Sequence, residues 1–160
     1  MLCRQTFLTV LALTACIPAS ADLFIVRHAE KKNPQMDKST LSEVGLHRAQ
    51  ALKRVLTDVP LQAVYCTEYE RTRQTASPAA VAHGLKPIET NSEDIKGLAK
   101  TLKGLPPSED VLVVGHSDTI PDLLVELGVS TKAAIGSQDF DNLFVVRLGS
   151  GVPSYHRLRY

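Results

Sequence analysis

Two histidines and two arginines of this chain stand at or near the ends of predicted strands, where side chains can converge on a ligand. The apolar run 23–26 leads directly into Arg27 and His28, and a second apolar run leads to His116. Arg71 lies near the start of a helix predicted to follow another strand. Ligands of parallel α/β sheets bind beyond the carboxyl ends of the strands. Because an arginine fork binds phosphate with two hydrogen bonds, these side chains predict a site for a phosphoryl group.

The elements that must position these residues alternate between strand and helix. Strands are predicted over 23–26, 61–66, 85–89, 111–114, 142–148 and 154–159. Helices are predicted over about 42–56, 69–82, 94–103 and 121–127. This alternation is typical of a three-layer α/β/α sandwich with a mostly parallel sheet. The last two strands, joined by a glycine-rich turn, are expected to form an antiparallel edge.

The first 21 residues have the pattern of a signal peptide. Arg4 supplies a positive charge, an apolar segment follows it, and Ala19-Ser20-Ala21 forms a small-x-small cleavage pattern. The apolar segment is shorter than the roughly 20 residues that span a bilayer. Leu13-Thr14-Ala15-Cys16 also resembles a lipobox, which would anchor the protein through Cys16. We therefore expect residues 1–21 to be a leader, and 22–160 to be one catalytic domain exported to the periplasm, soluble or lipid-anchored.

Charge and cysteine content narrow the classes of partner. The chain carries 18 Lys and Arg against 17 Asp and Glu, and Arg4 is the only charged residue of the leader, so segment 22–160 is formally neutral. A neutral domain is not expected to bind nucleic acid. Cys66 is the single cysteine beyond the leader, so an internal disulfide is excluded there. A lone cysteine at the end of an apolar run is more often a buried packing residue than a nucleophile.

Three short motifs occur in order along the chain. They are Arg27-His28-Ala29-Glu30, the segment 65–76 around Arg71, and Val114-Gly115-His116-Ser117. Together they resemble the Arg-His-Gly, second-arginine and second-histidine motifs of the histidine phosphatase superfamily, also called the phosphoglycerate mutase-like family. The resemblance covers roughly all of 22–160 and is closest to the small exported members, which lack the insertions of true mutases.

The resemblance implies a fold of the phosphoglycerate mutase type and a role for each residue. His28 would be the nucleophile and become phosphorylated, while Arg27, Arg71 and His116 would hold the phosphoryl oxygens. A histidine attacks only when neutral, and two nearby cations lower its pKa below about 6.5. The same cations compensate the phosphoryl charge, so neither a cofactor nor a metal ion is implied. The expected activity is a metal-independent phosphatase acting on a phosphorylated small molecule or an envelope phosphoester.

The sequence departs from the family pattern at the substrate side and at the proton donor. Ala29 replaces a glycine, and Lys31 occupies the place of a usual threonine, so Lys31 is expected to add a phosphate donor. Two residues are candidates for the acid that protonates the leaving oxygen, Asp118 just after His116 and Glu89 at the end of a short strand. Asp118 is preferred because it lies at a predicted helix start. If neither reaches the pocket, only good leaving groups such as phosphohistidine or acyl phosphate would turn over well.

Other functions for these residues are less consistent with the sequence than a phosphatase. His28, Glu30 and His116 could suggest zinc, but the adjacent arginines would repel a divalent cation. Ser117 or Cys66 with His116 could suggest a hydrolase triad, yet the nucleophile-elbow pattern is missing. A phosphate- or phospho-sugar-binding envelope protein without turnover remains the alternative to the enzyme. The other histidines are predicted to be surface or packing residues: His47, His83 and His156.

Overall fold

A computed structural model describes residues 20–130, 133–149 and 151–160. The elements are β1 (Ala21–Arg27), α1 (Glu43–Val55), β2 (Leu61–Thr67), α2 (Glu70–Ala82), β3 (Ile88–Thr90), α3 (Ile95–Lys103), β4 (Asp110–Gly115), α4 (Thr119–Glu126), β5 (Asn142–Leu148) and β6 (Ser154–Arg159). The predicted leader, with Cys16, lies outside the described residues apart from its last two positions. Within the described ranges, every helix is too short or too polar to cross a membrane.

The six strands form one sheet in the order β3-β2-β4-β1-β5-β6. Strands β3, β2, β4 and β1 run parallel to one another. Strand β5 pairs antiparallel with β1, and β6 pairs antiparallel with β5. The predicted α/β fold with an antiparallel edge is therefore confirmed.

Helices cover both faces of the sheet, and β4 shows how its sequence fits this arrangement. Val111 and Val113 pack in the core that includes residues of α3 and α4, whereas Leu112 and Val114 pack in the core that includes residues of α1 and α2. All four side chains are buried. A strand covered on both faces has no polar side to present, which explains its continuous apolar run.

The ends of the elements differ from the predictions by a few residues. Ser42 caps α1 as predicted, its hydroxyl accepting a hydrogen bond from the Gly45 amide at 3.1 Å. Helix α4 begins at Thr119, two residues before Pro121, because Asp118 provides its N-cap. Strand β3 begins later than predicted, at Ile88, since the pairing with β2 starts there.

The register of the parallel strands sets the position of the chemistry. Arg27 pairs with Gly115, and the His28 amide donates to the Gly115 carbonyl at 2.9 Å. His28 and His116 therefore leave neighbouring strands at the same level. On the other side of β4, Cys66 of β2 pairs with Val114. The end of β2 therefore reaches the same edge of the sheet.

Candidate active site

His28 and His116 meet at the carboxyl edge of the sheet. Their ring centroids are 5.3 Å apart with the ring planes at 63°, in an edge-to-face arrangement. Both residues are buried, with exposed fractions of 5% and 7%. The strand register thus brings together two imidazoles that are 88 positions apart in the chain.

The two arginines lie beside the histidines. Arg71, in the first turn of α2, places Nη2 at 3.5 Å from His116 Nδ1. Arg27 directly precedes His28, and its charge lowers the pKa of both histidines. Both arginines are buried. The structure therefore brings Arg27, Arg71, His28 and His116 into one site, as the sequence predicted.

Backbone carbonyls of two loops hold the guanidinium groups. Nη1 of Arg27 donates to the carbonyls of Gly136 and Ser137, at 3.0 Å each. Nη1 of Arg71 donates to the carbonyl of Asp37. Nε of each arginine is buried without a hydrogen-bond partner in the part of the chain that the structure describes. Buried donors are normally paired, so these two N–H groups are exceptions within the described structure.

An aromatic ring packs on each guanidinium. The Arg27 guanidinium carbon lies 4.0 Å from the centroid of Phe140, and that of Arg71 lies 4.2 Å from the centroid of Tyr69. Tyr69 also packs edge-to-face on His116 at 5.3 Å. These cation–π contacts restrain the arginines and partly exclude water from them. Sequence reasoning missed both rings, although Tyr69 stands only two residues before Arg71 inside the second-arginine motif.

The ring of His28 is oriented by the backbone next to it. Nδ1 lies 2.8 Å from the carbonyl oxygen of Ala29. The Ala29 amide in turn donates to Thr75 Oγ1 at 3.0 Å, and the Thr75 hydroxyl donates to the Arg71 carbonyl at 2.8 Å. Thr75 therefore links the segment after β1 to the first turn of α2 through two hydrogen bonds. It was missed as well, although it lies in the motif around Arg71.

Both histidines are held in the neutral form. Burial lowers the pKa of His28 to about 3; the hydrogen bond to Ala29 opposes this, and the positive charges around the ring add to the lowering. Burial likewise lowers the pKa of His116 to about 4, with Arg71 adding to the effect. The sequence predicted this direction for His28 from neighbouring cations, but the leading cause is the loss of water around the rings.

Residues of this site lie in a segment that matches a known protein family. The model of the histidine phosphatase superfamily (branch 1) matches residues 23–96, which include Arg27, His28 and Arg71. Over residues 23–96 the chain is therefore similar to the histidine phosphatase superfamily. No curated protein matches the chain significantly in sequence.

Solved structures of phosphatases and of a mutase share the fold at low sequence identity. A mycobacterial glucosyl-3-phosphoglycerate phosphatase is 16% identical, with 88% of this chain and 98% of that chain covered and a TM-score of 0.68. The protein histidine phosphatase SixA, complexed with tungstate, is 18% identical, with 86% and 96% covered and a TM-score of 0.71. A phosphoglycerate mutase from Plasmodium falciparum is 15% identical, with 88% and 91% covered and a TM-score of 0.64.

The two candidate acids lie in different surroundings. Asp118 is exposed at the start of α4, and its Oδ1 accepts from the Thr119 amide at 3.0 Å. Its negative charge opposes the lowering of the pKa of His116, so it lies within electrostatic reach of the site. Glu89 forms an ion pair with Arg73 at 2.6 Å on the outside of α2. The charge of Asp118 thus acts on His116, whereas Glu89 is paired with Arg73; the role of either residue as the acid stays a prediction.

Lys31 lies in the loop that follows the first motif. Its Nζ donates to the carbonyl of Met36 at 3.2 Å, and its backbone forms an isolated bridge with Leu41. The amine is thus bound inside its own loop in this structure. The role of Lys31 as a phosphate donor stays a prediction.

Glu30, the last residue of the first motif, is paired with Arg48. Arg48 Nε lies 2.9 Å from both carboxylate oxygens of Glu30, and Arg48 Nη2 lies 2.6 Å from one of them. The Glu30 carbonyl accepts from the Ser42 amide at 2.9 Å. Across the described ranges, no cluster of three or more His, Cys, Asp or Glu side chains is placed to hold a metal ion.

The remaining cysteine and histidines form no described hydrogen bond with the four central residues. Cys66 is buried, and burial raises the pKa of its thiol to about 11, so the thiol is protonated at neutral pH. His83 Nε2 lies 3.1 Å from the Leu56 carbonyl, whereas His47 and His156 are exposed. Their predicted roles as packing or surface residues fit these positions.

Proposed function

We propose that the protein is a metal-independent phosphatase that hydrolyses phosphomonoesters through a phosphohistidine on Nε2 of His28. The observation that carries this proposal is the hydrogen bond between His28 Nδ1 and the Ala29 carbonyl. A carbonyl oxygen only accepts, so Nδ1 bears the proton and Nε2 keeps its lone pair. Because burial keeps the ring neutral, that lone pair is available for attack at neutral pH.

The arginines supply the positive charge that the reaction needs. The phosphoryl group carries negative charge on its oxygens throughout its transfer, and preorganised donors in a desolvated site stabilise that charge. Arg27 and Arg71 each keep a buried Nε–H without a described partner, and phosphoryl oxygens are suitable acceptors for them. The tungstate in the SixA structure is also a tetrahedral oxyanion, which supports such a guest here. Two guanidiniums can thus do the electrostatic work of a metal ion.

Asp118 is proposed as the proton donor. In the first step the Nε2 lone pair forms an N–P bond, the ester P–O bond breaks, and the leaving oxygen takes the proton of the Asp118 carboxyl. In the second step water attacks phosphorus, the N–P bond breaks, and the proton of the water returns to the Asp118 carboxylate. The electrostatic proximity of Asp118 to His116 supports this assignment over Glu89, whose carboxylate is paired with Arg73.

The first experiment tests the phosphohistidine. The full chain is incubated with an aryl phosphate labelled at phosphorus and with EDTA present, quenched in alkali, and compared with His28→Ala and with the exposed control His47→Ala. Acid-labile, alkali-stable label and turnover are expected in wild type and in His47→Ala and are expected to vanish in His28→Ala. Saturable phosphate binding with neither label nor turnover would instead identify a phosphate-binding protein. Loss of activity with EDTA would refute metal independence.

The second experiment tests the acid. Turnover of aryl and alkyl phosphates is compared for wild type, Asp118→Asn and the control Glu89→Gln. Alkyl phosphates depend most on protonation of the leaving group, so Asp118→Asn should lower their kcat by about 100-fold or more while affecting aryl phosphates less. Equal losses on both esters would refute Asp118 as the donor. A wild type active only on phosphohistidine or acyl phosphate would indicate an enzyme without an effective acid.

The substrate is proposed to be a phosphorylated small molecule or an envelope phosphoester, because the predicted leader directs the protein out of the cytoplasm. Cell fractionation and the mass of the mature N-terminus test this. Cleavage after Ala21 would support a soluble periplasmic enzyme, and a lipidated Cys16 would support a membrane-anchored one. An unprocessed N-terminus in the cytoplasmic fraction would refute export.

A further inference from the structure

Behind His116, a chain of buried hydroxyl groups runs from β2 into α2. His116 Nε2 lies 2.9 Å from Thr67 Oγ1, which lies 2.9 Å from Thr72 Oγ1. Thr72 Oγ1 lies 2.6 Å from the carbonyl oxygen of Tyr69 and 3.0 Å from that of Thr67. Thr67 is 5% exposed and Thr72 is fully buried, so bulk water scarcely competes for these bonds.

The direction of each bond in this chain follows from its two ends. A carbonyl oxygen only accepts, so the Thr72 hydroxyl donates its single proton to the backbone. Thr72 Oγ1 then accepts from the Thr67 hydroxyl, and Thr67 Oγ1 in turn accepts from Nε2–H of His116. On the other side of the ring, Arg71 Nη2 lies 3.5 Å from Nδ1, and a guanidinium only donates. The contacts at Nε2 and at Nδ1 therefore favour the same tautomer of His116.

We infer that Thr67 and Thr72 are positioning residues that fix His116 as the Nε2–H tautomer, with the lone pair of Nδ1 on the side of Arg71. This inference gives a function to two buried hydroxyl groups whose hydrogen bonds in the described part of the chain do not include His28. Thr72 acts at a distance of two hydrogen bonds, because it decides which way the Thr67 hydroxyl points. Its catalytic meaning rests on the proposed phosphatase activity, but the tautomer itself does not.

The tautomer has a consequence for phosphate binding. The neutral ring has no proton on Nδ1, so His116 can donate to a phosphoryl oxygen only after it gains one. A phosphate monoester has a second pKa of about 6, so its monoanion carries such a proton near neutral pH. When the monoanion binds, its O–H bond breaks and an Nδ1–H bond forms. The negative charge then left on the phosphoryl group raises the pKa of the ring that is neutral in the free protein, and the resulting imidazolium donates to the phosphoryl oxygen. Its Nε2–H still donates to Thr67, so the threonine chain remains intact.

The tautomer can be measured without any turnover. Long-range ¹H–¹⁵N correlation spectra of the full chain with ¹⁵N-labelled histidine, at pH 7 and without phosphate, distinguish a protonated from an unprotonated ring nitrogen. Wild-type His116 is expected to be protonated at Nε2 alone. Thr72→Val frees the Thr67 hydroxyl to donate to Nε2, so the ratio of tautomers should shift about fivefold toward Nδ1–H, the effect of one hydrogen bond of about 1 kcal/mol. Thr72→Ser keeps a hydroxyl and should keep the wild-type ratio.

Two outcomes would overturn the inference. A wild-type His116 protonated at Nδ1 would do so by itself, whether or not any variant folds. A folded Thr72→Val with an unchanged ratio would show that the threonines fill space only. Addition of saturating inorganic phosphate at pH 6 should protonate both ring nitrogens of wild-type His116, and a ring that stays neutral would refute the proton uptake. A protein that shows the expected tautomer but hydrolyses no phosphoester would refute the phosphatase proposal alone.

Discussion

The buried neutral histidines should make the protein sensitive to mild acid. In the unfolded chain a histidine titrates near 6.5, whereas the native pKa values of His28 and His116 are about 3 and about 4. At a pH between the native and the unfolded pKa of a histidine, the unfolded state binds more protons than the native state. The free energy of unfolding therefore falls as the pH falls below about 6.5. Above that pH both states are neutral at these rings, and the effect is absent.

The size of this effect follows from the two pKa values. Each pH unit between the unfolded and the native pKa costs about 1.4 kcal/mol per histidine. A change from pH 7 to pH 5 crosses roughly 1.5 such units, which corresponds to about 2 kcal/mol for each ring and about 4 kcal/mol for the pair. Since a domain is stable by about 5–15 kcal/mol, this is a large part of the total.

Urea unfolding of the full chain at pH 7 and at pH 5 measures the effect. The quantity of interest is the loss of unfolding free energy between the two pH values, compared among wild type, His28→Gln and the exposed control His156→Gln. His28→Gln should lose about 2 kcal/mol less than wild type, because one ring no longer takes up a proton on unfolding. Contributions of carboxylates are common to all three proteins and cancel in this comparison.

A wild type and His28→Gln with the same acid sensitivity would refute the reasoning, because His28 would then bind protons equally in both states. The same conclusion would follow if His156→Gln lost its sensitivity as strongly as His28→Gln. His28→Gln can also lower the unfolding free energy by the same amount at both pH values. Such a loss does not affect the test, because only the difference between the two pH values is used.

Three further predictions concern single residues. Arg71→Lys keeps the charge but loses the fork, so kcat should fall by about 100- to 1,000-fold on an aryl phosphate, whereas Arg73→Lys should keep activity near wild type. In Gly45→Ala the new Cβ would collide with the carbonyl oxygen of Glu30, so thermal unfolding should show a loss of roughly 1–3 kcal/mol. Cys66 should resist a thiol reagent in the native state and react once urea unfolds the chain, because its thiol is buried and protonated.

Matched results would contradict these predictions. Equal losses in Arg71→Lys and Arg73→Lys would show that the two arginines do not differ in their contact with the phosphoryl group. A Gly45→Ala as stable as Gly149→Ala, where the space around the Cβ is open, would show that α1 can shift away from Glu30 at little cost. Fast modification of native Cys66 would reopen its role as a nucleophile.

The fold and the four central residues could be predicted from the sequence because their signals are local. Runs such as 111–114 indicate a buried strand, and Ser42 with the apolar pattern behind it indicates a helix start. Once the strands are taken as parallel, their carboxyl ends share one edge, so Arg27, His28 and His116 must approach one another. The ends of strands were predicted less accurately. Strand β3 is an example, because its start depends on where β2 lies beside it.

The chemistry of the site depended on contacts between residues far apart in the chain. Burial rather than charge is the main reason for the low pKa of His28, and burial is a property of the packed core and loops around it. Likewise Phe140 covers Arg27 from more than 100 positions away, and no local pattern marks it. The order of residues therefore determined the type of fold and which residues lie at the candidate site. Only the tertiary structure decided their protonation, tautomers and partners, because these depend on desolvation and hydrogen-bond geometry in three dimensions.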